Sequence, residues 1–174
     1  QGENLIVHFE GQDRNRAFIF NSHMDTVSAG DKPWKYGAWN PTVDGKKVVG
    51  LGASDMKAGL TASMLLAEQA AKGNTPPVDV WFTYVVKEEV DGSGTENFAD
   101  WFKSSDQLKR YREVAGIFTE PTGLVEIEHG HRGNLFIRAE TSGDSGHASR
   151  PHLIKKHAVR EMIKFADRLQ TEAR

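Results

Sequence analysis

The 174-residue chain contains no cysteine, so disulfide bonds and thiolate-bound metals are excluded. That absence does not by itself name a compartment. No apolar run approaches the length needed to cross a bilayer, which leaves no membrane partner to expect. Charge of either sign is not in excess: 22 Lys and Arg oppose 24 Asp and Glu, for a net charge of −2. A nucleic-acid-binding surface is therefore not its main business. Internal repeats, low-complexity tracts and a signal peptide at the start are also lacking. What remains is an ordinary globular composition, 38% hydrophobic and 26% charged, long enough for one domain with a real core or one domain and part of another. The chain opens at Gln1 without Met and stops at Arg174 inside an expected helix, so we expect a piece of something longer.

Strands and helices alternate along the sequence. Residues 5–9 read as a first strand, 11–16 as a polar turn, and 17–20 as a buried strand ending in Asn21-Ser22-His23-Met24-Asp25-Thr26. A long loop over 27–45 holds Trp34 and Trp39, which either pin it or wall a pocket. A short strand over 46–49 runs into a small-residue stretch, then a helix over 56–72 with Leu60, Met64, Ala67 and Ala71 on one face. Residues 78–86 carry the strongest strand signal, a helix follows over 95–103, and 115–118 is another short strand. Further strands are expected over 124–128 and 134–140, and a closing helix over 154–172.

This alternation predicts an α/β fold with a mostly parallel sheet. In such a sheet, ligands bind outside the carboxyl ends of the strands. The acidic residues of interest follow apolar runs: Asp25 beside His23, then Asp55, then Glu88 and Glu89, then Glu120. Taken singly, each has a plain explanation. Asp55 or Ser54 serves as a helix N-cap, Glu88 and Glu89 as a solvated turn, and His-x-Asp as loop. Taken together, the five carboxylates would repel one another unless cations neutralise them. The convergence, and no single motif, argues for a metal site.

These residues resemble the M20-type metallopeptidase and deacylase family that contains acetylornithine deacetylase, succinyl-diaminopimelate desuccinylase, aminoacylase and glutamate carboxypeptidase. The matching motifs are Ser22-His23-Met24-Asp25, Gly50-Leu51-Gly52-Ala53-Ser54-Asp55-Met56-Lys57-Ala58-Gly59, Glu88-Glu89, Glu120-Pro121-Thr122 and Gly146-His147-Ala148. The resemblance covers nearly the whole chain. It implies a catalytic domain over 1–132, lacking its N-terminal part, and the opening of a smaller α+β lid or dimerisation domain over 133–174. It implies two Zn²⁺, with Co²⁺ or Mn²⁺ as substitutes. His23 and Glu120 would bind one ion, Asp55 would bridge, and Glu89 would bind the second. Asp25 would orient His23, Glu88 would be the general base, and His147 would reach the reacting carbonyl oxygen, from a partner subunit in dimeric members. Arg132, Asn134 and Arg150 are candidates for gripping a substrate carboxylate.

The implied activity is hydrolysis of an N-acyl amino acid by a cytoplasmic homodimeric enzyme. A dipeptidase or carboxypeptidase of the same family is the alternative. From another class, the alternative is a truncated, non-catalytic fragment retaining at most one metal. One departure is Lys87, where members commonly have an acidic residue; a cation there would lower the pKa of Glu88. Another is the family's last histidine ligand, which comes from farther downstream than this chain reaches.

Overall fold

The computed structural model describes residues 3–130, 133, 137–147 and 149–172. The chain divides into two compact units, Gln1–Ile127 and Glu128–Arg174.

The first unit is built on β5 (Val78–Val85). Its β-branched and aromatic residues suit a strand covered on both faces, and seven of its eight residues are buried. It pairs in parallel with β2 (Asp13–His23) and antiparallel with β1 (Leu5–Phe9). On its other side β2 pairs in parallel with β6 (Glu113–Phe118), giving the sheet order β1-β5-β2-β6. The fold is therefore α/β with a mixed, mostly parallel sheet. Helices α1 (Ala58–Ala71) and α2 (Ser93–Ser104) form the crossovers.

Side chains alternate across β5, and each face has its own core. Val80, Phe82 and Tyr84 pack with Phe20, Leu60 and Ala67 on the α1 side. Trp81 packs with Ala17, Phe98, Phe102 and Tyr111 on the α2 side.

Several expectations need correction. Residues 13–16 form the start of β2 and not a turn, because Asp13 and Arg16 find cross-strand partners in Val78 and Glu113. The strand β4 (Lys47–Val49) lies outside the main sheet. Among the described residues it pairs only with β3 (Thr42–Asp44), a hairpin cut from the end of the expected loop. In that loop Trp39 is 73% exposed. On α1 the sheet-facing residues are Leu60, Ser63 and Ala67, while Met64 is 52% exposed. Residues 124–128 are not a strand. Among the described residues they have no partner to complete a ladder, and Leu124, Val125 and Ile127 stand in solvent.

The second unit holds a short 3₁₀ turn at Pro151–Leu153 and α3 (Ala158–Glu172). The Asp144 carboxylate accepts the N–H groups of Lys155 and Lys156 at 3.1 and 2.9 Å and so closes the segment before α3. Residues 137–140 are not extended into a strand, and 134–136 lie outside the described residues. None of this unit's described residues is buried. Among all described residues, no helix is long and apolar enough to cross a membrane.

Candidate metal centre

His23 ends the strand that lies between β5 and β6, so its ring arrives at the middle of the sheet's carboxyl edge. The ring is 1% exposed. Glu88 and Glu89 follow β5, and Glu120 follows β6. Asp55 arrives differently from the expectation. No strand of the main sheet precedes it; it lies in the irregular turn Ala53–Lys57 that leads into α1.

These elements meet at one point. His23 Nε2 lies 3.0 Å from Asp55 Oδ1, 3.7 Å from Glu120 Oε1 and 3.8 Å from Glu88 Oε2. Donor atoms of His23, Asp55 and Glu89 all lie within 4.8 Å of one another. On the far side of the ring, Nδ1 lies 3.0 Å from the backbone carbonyl oxygen of Asp25. The Asp25 carboxylate accepts the backbone N–H groups of Glu88 and Glu89 at 3.3 and 3.2 Å.

A layer of hydroxyls beneath the centre fixes the spacing of its elements. Ser22 Oγ lies 2.8 Å from Thr119 Oγ1 and 3.3 Å from Ser63 Oγ, joining the ends of β2 and β6 to α1. Ser63 also donates to the Leu60 carbonyl at 2.8 Å. The His23 N–H points at the sulfur of Met56, a residue 1% exposed. At Gly59 a side chain would run into the backbone of Thr119, so the first turn of α1 can approach Glu120 only without one.

The crowding of charge shows in the acid–base behaviour. Burial raises the pKa of Glu120 to about 7, with Asp55, Glu88 and Glu89 adding to the rise and His23 opposing it. Glu88 is raised for the same reasons: burial first, then the nearby carboxylates, against His23. The lowering expected from Lys87 does not occur, and the charge of Lys87 acts on Asp91. Burial works against the charged form of His23, yet its pKa is raised, because Asp55, Glu120, Glu88 and Asp25 surround it.

The donor set fits a divalent cation. Bonds of about 2.1 Å in a tetrahedral array put neighbouring ligand atoms roughly 3.4 Å apart. The distances from Nε2 to Asp55 and Glu120, 3.0 and 3.7 Å, bracket that value. The Asp25 carbonyl can only accept, so Nδ1 carries a proton. Nε2 then faces carboxylates alone, where a cation can replace the second ring proton. One imidazole and several carboxylates, without thiolate, suit zinc, manganese or cobalt.

Of the remaining predicted residues, two belong to the second unit and two lie outside the described residues. His147 belongs to the second unit, is exposed, and has Nδ1 2.8 Å from Ser149 Oγ. Arg150 is exposed in the same unit, its N–H donating to the His147 carbonyl at 2.9 Å. Arg132 and Asn134 lie outside the described residues. Sequence reasoning missed Ser63, Met56 and Thr119. Ser63 carried a usable signal, a hydroxyl on the apolar stripe of a helix.

An imidazole ringed by carboxylates at the carboxyl edge of a mostly parallel sheet makes this an α/β protein with a group of side chains that could hold a metal ion. The chain belongs to peptidase family M20/M25/M40, whose family model matches residues 19–172. It is 31% identical over 173 residues to a succinyl-diaminopimelate desuccinylase of Cereibacter sphaeroides, covering 95% of this chain and 44% of that protein. A succinyl-diaminopimelate desuccinylase of Dinoroseobacter shibae is 29% identical over 169 residues, covering 95% and 44%. One from Coxiella burnetii is 30% identical over 139 residues, covering 78% and 37%. The chain thus spans less than half the length of these curated relatives.

Proposed function

We propose that this chain carries most of the catalytic centre of a metal-dependent amidohydrolase acting on an N-acyl amino acid, of the deacetylase or desuccinylase type. The observation that carries the reading is the meeting of His23, Asp55, Glu88, Glu89 and Glu120 from separate segments. His23 and Glu120 would hold one zinc ion, Glu89 a second, and Asp55 both. The bound ions would supply a water of lowered pKa and a Lewis acid for the amide carbonyl.

Glu88 is the general base. It takes the proton of the attacking water and returns it to the leaving amine. Its raised pKa suits that exchange better than an ordinary carboxylate would. Asp25 and the hydroxyl layer keep the acidic groups in register. The domain reading is a catalytic domain over 1–132 and a lid or dimerisation domain opening at 133, in a cytoplasmic homodimer. Arg132, Asn134 and Arg150 would grip the substrate carboxylate, and His147 would reach the carbonyl oxygen across the dimer.

The test is an assay with N-succinyl-diaminopimelate, N-acetylornithine and a dipeptide panel, run beside metal analysis. Near two zinc per chain with hydrolysis of an N-acyl substrate is expected. Preference for dipeptides favours the peptidase alternative. One zinc or none, without turnover, favours a non-catalytic polypeptide. The Glu88→Ala variant should lose turnover and keep its metal; loss of metal would make Glu88 a ligand. Mixing His147→Ala with Glu88→Ala protein should restore partial activity, and confirmed mixed dimers without rescue would remove His147 from the site.

A further inference from the structure

β6 leaves the sheet before β2 does. Its last partner on β2 is Asn21, whose carbonyl accepts the N–H of Thr119 at 3.1 Å. Main-chain groups of alternate residues in a strand face the same neighbour, so the N–H of His23 points to the side that β6 has just left. Met24 faces the other way, and its N–H goes to the Val85 carbonyl at 2.8 Å. The buried N–H of His23 goes instead to the sulfur of Met56, at 2.9 Å. The next residue of the same turn, Lys57, donates from Nζ to the Met24 carbonyl at 3.0 Å. Two consecutive side chains thus hold two consecutive main-chain groups at the end of β2.

These contacts matter because helical geometry does not hold Asp55. Its turn is closed at the base, by Lys57 N–H on the Gly52 carbonyl at 3.0 Å and by Ala58 N–H on the Ala53 carbonyl. Inside it the backbone is not helical at Asp55 (φ −109°, ψ 103°) or at Met56 (φ −124°, ψ 35°). Room for the lysine is kept by Gly52, at φ 73°. A side chain there would come within 3.2 Å of Lys57 Nζ and 2.5 Å of the Thr26 methyl.

We infer that Met56 and Lys57 are positioning residues, whose contacts with the His23 N–H and the Met24 carbonyl set the separation of the Asp55 carboxylate from the His23 ring. That separation is 3.0 Å, from Oδ1 to Nε2. A thioether is a weak acceptor, but leaving a buried N–H unpaired costs more than such a bond returns. The lysine adds a charge-assisted donor, the stronger kind. The bearing of the pair on metal binding rests on the reading of His23 and Asp55 as ligands.

The experiment uses the full ¹⁵N,¹³C-labelled chain, first free of metal and then titrated with zinc against a competing chelator. In metal-free Met56→Leu the amide proton of His23 should move upfield. In metal-free Lys57→Met the carbonyl carbon of Met24 should do the same. Each variant should then bind zinc about tenfold or more weakly, the usual loss when a group that orients a metal ligand is removed. For the lysine the sign is decisive. Taking a positive charge away from a cation site would, by Coulomb forces alone, tighten zinc binding, so weakening marks lost geometry. Lys57→Arg keeps a cationic donor and should recover most of the affinity. Phe98→Leu, a core change on the α2 side of the sheet, should lower the thermal midpoint and leave the His23 amide and the zinc affinity unchanged. Unmoved resonances overturn the assignment. So does zinc binding by Lys57→Met as tight as the parent's or tighter, or an equal loss of affinity in Phe98→Leu. Absence of hydrolysis in the parent chain would sink the proposed function and leave these readouts, and this inference, in place; unmoved resonances do the reverse.

Discussion

His23 has an acceptor at each ring nitrogen, and this makes proton and cation competitors for Nε2. Its pKa is raised above 6.5, so without a cation its stabilising contribution is complete below that value and is lost as pH rises through the folded value. Glu120 acts in the same direction. Its carboxyl stays neutral in the fold up to about pH 7, whereas the unfolded chain ionises near 4.5, so the ion-free fold loses stability across that interval. In chelator, the thermal midpoint should fall between about pH 5 and about pH 8. Adding zinc at the upper end should reverse the fall. A chelated midpoint that climbs over this range would contradict the charge arrangement.

At the scale of single elements, β5 is held at both ends by opposite means. Its carboxyl end faces the candidate metal centre. Near its amino end, Asp79 is fully buried and accepts from Gly11 N–H at 2.8 Å, Tyr111 O–H at 2.9 Å, Arg14 Nε at 3.0 Å and His8 Nε2 at 3.2 Å. Burial disfavours its charge, but these donors outweigh it and hold its pKa below the ordinary value. Such a group stabilises the fold above its unfolded pKa, and the contribution fades as pH drops through the folded value. Asp79→Asn should cost about 2–4 kcal/mol in urea unfolding at neutral pH. The gap from the parent should narrow as pH approaches about 3.

The same contrast explains what could be read in advance. His23, Glu88, Glu89 and Glu120 were legible because each follows an apolar run, and parallel connections put such ends on one edge. Asp55 was legible as a residue but not in its setting, since the short strand before it pairs only within a hairpin. The Asp79 cluster was not legible. Its donors come from residues 8, 11, 14 and 111, and only the folded sheet brings them beside one carboxylate. The alternation at 124–128 misled because a strand needs a neighbour, which no local pattern supplies.

For the whole molecule, core formation is uneven. The first unit buries two clusters against its sheet, whereas no described residue of the second is buried. The outermost strand of the sheet, β6, is mostly exposed, with Ile117 at 44% and Phe118 at 62%. Among the described residues no strand pairs with the outer side of β6, and beyond Glu113 its stretch Ala115, Gly116, Ile117 and Phe118 has no charge or proline to discourage lamination. Concentrated stocks of this polypeptide should therefore scatter light increasingly with time. A lysine at position 117, introduced as Ile117→Lys, should act as a gatekeeper and keep such stocks clear.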